Sequence, residues 1–449
     1  MNKQLTKEDI GKLLIITIIK ENKKIIHKGY LVEIFPTSLK LKLQDNGYNI
    51  EIELNENTNI EITSNKIEFG KIPTTSLKEN TSLPNIVYIG TGGTIGTHVD
   101  YNTGGVFMCR TPEEIISTTP ELENIVNIKK TESPFIKASE DMYYKDWQIL
   151  SKNIYNNLKD DSIDGIIVTH GTDTLSYTGS VLSFFIENIN KPVLLVGAQR
   201  SPDRASFDGS LNLICAAYFI KEKVSGVYLV MHGSMNDDFC YVIKAVKSRK
   251  MHSSRRDAFK AINDIPICKV YSNGKIEYLK DISTFKNIEN KLILKNDFEE
   301  KVCLLKIYPN SDPAVIDWYI EKGYKGIILE GTGLGHVPTG MQEKDNLPEN
   351  KRWLPFLKKA IDKGIIVLMS TQCLYGRVND MVYANLRYIQ KTGVEYLDKH
   401  DILPEVLQIK LSVALGRYTK KEDVINYLKT NIAGEISEKE ISESYNNEY

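Results

Sequence analysis

Two apolar runs in this chain each break into a loop of glycine and threonine. Ile86, Val87, Tyr88 and Ile89 lead into Gly90-Thr91-Gly92-Gly93-Thr94-Ile95-Gly96, and Gly165, Ile166, Ile167 and Val168 lead into Thr169-His170-Gly171-Thr172-Asp173-Thr174. Short continuous apolar runs bounded by turn residues are the pattern of strands buried on both faces. Two more runs, 193–197 and 226–231, follow. A parallel sheet covered by helices is therefore expected from residue 85 onward, with each threonine loop opening into a helix. A charged stretch over 272–300 carries Asn273-Gly274, after which strand patterns resume at 302–308, 326–330 and 365–369 as a second α/β lobe. Near the end, Thr419 and Glu422 have capping-box spacing, Val424, Ile425, Leu428 and Ile432 share a helical face, and Gly434 offers a stop. The Glu- and Ser-rich residues after 436 are expected to fray.

Residues 1–65 alternate instead, the signature of a small, β-barrel-like β domain. A two-residue turn at Asn46-Gly47 would pair Leu43 with Ile50, Leu41 with Ile52 and Leu39 with Leu54 on one face. The other face would then set Lys42 against Glu51 and Lys40 against Glu53. Residues 66–84, with Pro73 and Pro84, read as a linker. The first α/β lobe is expected over 85–275, an inter-lobe linker over 276–300, and the second lobe with the terminal helix over 301–449.

Composition narrows the function classes. A chain of 449 residues has room for about three domains. With Lys+Arg 57 against Asp+Glu 58 there is no basic surplus of the kind a nucleic-acid binder usually shows. Six scattered cysteines form no CxxC, which argues against structural zinc, and several lie in apolar runs as reduced core residues. No signal region and no apolar run of membrane-spanning length occurs, so a soluble, cytoplasmic protein is expected. The first loop fits a dinucleotide fingerprint poorly, because Ile95 stands where a small third residue is needed.

The loops point to hydroxyl chemistry. A threonine hydroxyl is a poor nucleophile at neutral pH and needs a base beside it. The first loop offers Thr91 and Thr94, the second Thr172 with Asp173 adjacent. His170, His98 and Lys250 are all candidates for the base; Lys250 is flanked by Arg249 and by Arg255-Arg256, neighbours that favour a neutral amine. Asp173 fits a helix cap equally well. The basic stretch 244–260 as a whole also reads as a solvated face. His27, His232, His336 and His400 have no evident partner and read as structural.

Thr91-Gly-Gly-Thr-Ile95 together with His170-Gly-Thr-Asp-Thr174 resembles the bacterial-type L-asparaginase family, as do the strand 193–198 and Asp208-Gly-Ser-Leu-Asn212. The likeness runs from about residue 85 to 416. It implies two asparaginase-like, doubly wound lobes and hydrolysis of a side-chain amide through an acyl-threonine intermediate. By residue, it implies that Thr94 is the first-loop nucleophile, that Thr172, Asp173 and Lys250 are the second threonine, its aspartate and the catalytic lysine, and that Tyr101 belongs to a loop closing over substrate. Ser139 and Glu140 would bind substrate; many free-standing asparaginases carry Gln where Glu140 stands, a departure that bears on amino-acid preference. Three further segments, 249–259, 372–379 and 403–406, and the leading β domain resemble the D-subunit branch, found in archaeal glutamyl-tRNA(Gln) amidotransferases. That branch implies a glutaminase (or asparaginase) subunit without a cofactor of its own, a homodimer within a heterotetramer. Its E-subunit partner would use ATP and Mg2+ and hold most of the tRNA(Gln). The alternative is a free-standing L-asparaginase with an extra β domain. A scaffold that has lost catalysis fits less well, since Thr94, Thr172, Asp173 and Lys250 are all in place.

Overall fold

Alternation of apolar and polar residues folds the leading segment into an antiparallel sheet of β1 (Lys12–Lys20), β2 (Lys23–Ile34), β3 (Ser38–Leu43), β4 (Asn49–Glu53) and β5 (Thr58–Lys66), in the order β4-β3-β2-β1-β5. One face buries Leu14, Ile16, Leu31, Leu39, Leu41 and Ile52. The computed structural model describes residues 5–20, 23–44, 49–66, 82–99, 106–108, 112–282, 291–341 and 347–446. The Asn46-Gly47 turn itself lies outside them, but the strands it joins are paired two residues away from the expected register. Leu41 faces Ile50, Leu39 faces Ile52 and Lys40 faces Glu51. Because side chains alternate with period two, a two-residue shift keeps every residue on its expected face. Lys42 and Glu51 are exposed as anticipated, yet not opposite each other.

The chain separates into two compact units, Met1–Pro73 and Thr74–Tyr449. The second contains an eight-stranded sheet built from β6 (Asn85–Gly90), β7 (Asn127–Glu132), β8 (Gly165–Thr169), β9 (Pro192–Val196), β10 (Gly226–His232), β11 (Phe239–Lys244), β12 (Cys268–Tyr271) and β13 (Ile276–Tyr278). Its order is β13-β12-β11-β10-β9-β8-β6-β7. The run from β7 to β10 is parallel, and β11, β12 and β13 add antiparallel to it. Period two divides the faces. Val87, Ile89, Ile166 and Val168 pack under α1 (Tyr144–Leu158) and α2 (Leu175–Phe185), while Ile86, Tyr88 and Ile167 pack under α3 (Gly209–Ile220).

A smaller parallel sheet follows, β14 (Val302–Lys306), β15 (Gly326–Gly331) and β16 (Ile366–Thr371), with α4 (Val315–Glu321) and α5 (Leu354–Asp362) on one face. On its other face lies α6 (Pro404–Arg417), followed by α7 (Lys421–Lys429). Leu407 and Leu411 of α6 share one core with Ile328 and Leu368 of this lobe and with Val181 and Phe184 of α2. The lobes thus pack around common apolar residues. Among the described residues no helix is long and apolar enough to cross a membrane.

Four local expectations are corrected. The first threonine loop opens into a single 3-10 turn, Thr94–Gly96, and a two-stranded ribbon of Thr97–Val99 with Val106–Met108, not a helix. Helix α7 starts after Lys420 with no side-chain cap, and Gly434 lies beyond its end, its N–H donating to Asn431 Oδ1 at 3.1 Å. Residues 437–446 are docked: Ser437 and Ser444 both bond to the first lobe, Ser444 Oγ accepting the Asp264 N–H at 3.0 Å. The basic stretch 244–260 is a solvated face only in part: residues 251–255 are exposed, but Lys247 is buried against Asp401 at 2.8 Å.

Candidate active site

Neighbouring parallel strands place the two threonine loops side by side, since Gly90 at the end of β6 is in register with Thr169 at the end of β8. Carboxyl ends of parallel strands are where open α/β sheets hold ligands. Close backbone approach explains the glycines. A Cβ on Gly93, whose φ is 81°, would lie 2.3 Å from Gly171 Cα, and one on Gly92 2.4 Å from Lys137 O. A Cβ on Gly171 would lie 2.6 Å from Ser139 Cβ, and one on Gly197, just after β9, 2.7 Å from Thr172 Cγ2. Loops from three strands and the Ser139 turn therefore meet with no space between them.

The first loop's threonines divide between scaffold and site. The Thr91 N–H and hydroxyl both donate to the Thr169 carbonyl, at 3.0 and 2.9 Å, so Thr91 ties the loops together. Thr94 opens the 3-10 turn half-buried, its hydroxyl without a hydrogen-bond partner among the described residues.

Lys250 reaches the second loop from a short ribbon, Ser248–Lys250 paired with Phe259–Ala261. Its side-chain nitrogen donates to Thr172 Oγ1 at 2.9 Å and to Asp173 Oδ1 at 2.7 Å. Thr172 is buried and Lys250 nearly so, whereas the Asp173 side chain is 63% exposed. Asp173 therefore faces Lys250 and solvent and does not cap α2, whose first turn follows Thr174. Ser139 is buried against Gly171, its carbonyl accepting the Thr174 hydroxyl at 2.7 Å, and Glu140 beside it is exposed. Tyr101 and the His98 side chain lie outside the described residues.

His170 is excluded as the base. Its Nδ1 is 2.8 Å from the Gly171 carbonyl and its Nε2 2.9 Å from Thr178 Oγ1, which in turn accepts the Trp147 indole N–H at 3.0 Å. That chain sets Nδ1–H as donor and Nε2 as acceptor, and burial lowers the imidazole pKa to about 4. His170 is a neutral strut beneath the loop.

Sequence reading missed the supports of the third loop. The Asp208 carboxylate accepts the backbone N–H of Gln199 at 3.0 Å and of Arg200 at 2.9 Å; burial pushes this carboxyl up, against the pull of those donors. Asn212 donates to the Gly197 carbonyl at 2.9 Å, and its Oδ1 lies 2.6 Å from His232 Nδ1. His232 Nε2 is 3.1 Å from Asp237, which also takes Arg256 at 2.7 Å. Asp208 and Asn212 stood in a segment already noted for its family likeness; nothing in their spacing indicated these bonds. Among the described residues no group of three or more His, Cys, Asp or Glu is placed to hold a metal.

Residues 85–284 match the family model described as Asparaginase, N-terminal, and residues 301–428 the Glutaminase/Asparaginase C-terminal domain. The L-asparaginase of Thermococcus kodakarensis superposes with a TM-score of 0.68 at 26% identity, over 79% of this chain and 100% of that one. L-asparaginase I of Vibrio cholerae gives 0.65 at 26%, over 79% and 99%. Similarity to the D subunit of the glutamyl-tRNA(Gln) amidotransferase of Pyrococcus horikoshii extends further, 41% identity over 433 residues and 94% of each chain. The corresponding D subunit of Methanopyrus kandleri is 41% identical over 399 residues, 87% of this chain and 84% of that one. The chain thus belongs to the asparaginase family and, within it, to the D-subunit family of glutamyl-tRNA(Gln) amidotransferases.

Proposed function

We propose that this chain is the amide-hydrolysing subunit of a cytoplasmic glutamyl-tRNA(Gln) amidotransferase, releasing ammonia from glutamine or asparagine for use on a partner E subunit. The observation that carries the reading is the Lys250 amine held against both Thr172 Oγ1 and Asp173. A threonine Oγ attacks the side-chain carboxamide carbon, forming a C–O bond; the C–N bond then breaks, and the leaving nitrogen takes a proton and departs as ammonia. Water cleaves the threonine ester, returning the hydroxyl and a carboxylate product. Family resemblance supports Thr94 as the attacking oxygen, and the hydrogen bond between Lys250 and Thr172 supports those two as the proton-handling pair. The Lys250 amine takes the proton, and Asp173, 2.7 Å from it, steadies the charge that results. Ser139 and Glu140 hold the amino-acid end of the substrate, and Tyr101 covers it.

In this reading the partner uses ATP and Mg2+, grips most of the tRNA(Gln) and converts its misacylated glutamate to glutamine, in a heterotetramer around a dimer of this chain. Free ammonia is wasted unless hydrolysis is tied to an acceptor, which requires contacts that differ between idle and engaged states. Glutamine hydrolysis is therefore expected to rise when the E subunit and Glu-tRNA(Gln) are both added, and much less with uncharged tRNA. Thr172→Ala should abolish glutamine-dependent amidation while amidation from ammonium salt persists. Loss of both in a stable complex refutes the division of labour. Rapid turnover by the chain alone, unmoved by the partner, identifies a free-standing asparaginase instead.

A further inference from the structure

The ribbon carrying Lys250 is fastened at its open end by a ring of four residues from three parts of the chain. Lys247, immediately before the first ribbon strand, donates to Asp401 Oδ2 at 2.8 Å and to Ser437 Oγ at 2.9 Å. The Ser437 N–H donates to Asp401 Oδ1 at 2.9 Å, and its hydroxyl donates to the carbonyl of Asn263 at 3.0 Å. Asn263, two residues past the second ribbon strand, closes the ring by donating to the Asp401 carbonyl at 3.0 Å. Its Oδ1 accepts the Gly376 N–H at 2.9 Å, and its φ of 54° holds it in the left-handed region. The Ser437 carbonyl accepts from Arg377, so every polar atom of Ser437 is engaged. Between Lys247 and Asn263 the ribbon closes on itself, the Ile262 N–H donating to the Lys247 carbonyl at 2.8 Å. Lys250 projects from the other end, 2.9 Å from Thr172 Oγ1.

We propose that Ser437 is a positioning residue for Lys250: by joining Lys247, Asp401 and Asn263, the segment after α7 sets the ribbon at the height that brings the lysine amine onto Thr172. None of the ring's hydrogen bonds goes to Thr172 or Asp173; its link to them is the ribbon that carries Lys250. This rests on the catalytic role given to Lys250 above. Small displacements matter here, because misplacing a reacting group by 1 Å costs on the order of a hundredfold in rate.

The test is a double-mutant cycle on amide hydrolysis by the full-length chain in its complex. Ser437→Ala is expected to lower kcat about tenfold with KM nearly unchanged, the signature of a contact that matters in the transition state and not in substrate binding. Ser437→Thr, which keeps the hydroxyl, should restore most of the loss. In a Lys250→Ala background, Ser437→Ala should have no further effect, because the group it positions is gone. A tenfold loss that persists in that background, or a fall in Tm with kcat unmoved, overturns the proposal. If Ser437→Ala does not fold, Asp401→Asn, which keeps the side-chain shape, runs the same cycle with the same expectations. Wild-type rates from Lys250→Ala would defeat the reading of the lysine itself and this proposal with it. Loss of activity in Lys250→Ala beside a neutral Ser437→Ala defeats the proposal alone.

Discussion

His170 and His400 show how individual side chains fix the chemistry around them. Each is buried with both ring nitrogens committed; His400 Nε2 lies 3.0 Å from the Met369 carbonyl, and its Nδ1 accepts the Ile402 N–H at 3.1 Å. A donor already aimed at one nitrogen leaves no place for a second proton, and burial lowers both pKa values to about 4. An unfolded histidine titrates near 6.5. Between those values the unfolded chain binds protons that the folded chain refuses, so stability is present above about pH 6.5 and lost as pH falls toward 4. The loss is roughly 3 kcal/mol for each imidazole. Denaturant midpoints measured from pH 7.5 to 4.5 should fall, and His170→Gln, less stable at the outset, should lose less across that window. An equal loss in parent and variant would show that His170 does not titrate there.

Among the elements, the threonine loops depend on backbone contact. Gly93→Ala puts a methyl group 2.3 Å from Gly171 backbone and should abolish amide hydrolysis, whereas Gly364, with φ 83° and open space around it, tests strain alone. Gly364→Ala is expected to cost about 1–2 kcal/mol, the price of one left-handed residue, and to leave turnover intact; similar losses in both would refute the packing argument. Strands and their faces were legible in the sequence because burial on one or both sides leaves a period or a run. The contacts of Lys250 with Thr172 and Asp173 were expected from the family resemblance, since spacing alone left His170 and His98 equally open as partners. The β3–β4 register was not legible, since moving the pairing by two residues leaves Leu39, Leu41 and Ile52 facing inward all the same. The first loop's helix failed because Thr97 turns the chain into a ribbon, its hydroxyl donating to the Thr94 carbonyl. Lys247 looked solvated because nothing near it in sequence discloses Asp401, 154 residues away.

Across the whole molecule, α6 ties the lobes, packing on α2 of the first and on β14 and β15 of the second. Within it Lys410 is wholly buried, 2.6 Å from the equally buried Glu435. Lys410 also donates to the carbonyls of Leu428 at 2.8 Å and Thr430 at 2.6 Å, and Glu435 accepts the N–H groups of Ile432 and Ala433. Every donor and acceptor is met, the condition under which a buried ion pair is tolerated. Removing one partner leaves a charge in the interior, so Glu435→Ala should destabilise by about 3–5 kcal/mol. Lys410→Met/Glu435→Ala together should cost less than Glu435→Ala alone in equilibrium denaturation; additive losses would show that the charges do not depend on each other. That dependence constrains descent as well as folding. A lineage that replaced either residue first would pass through a form burying the other's charge unopposed, so the two codons are bound to behave as a single heritable character, kept jointly or exchanged jointly.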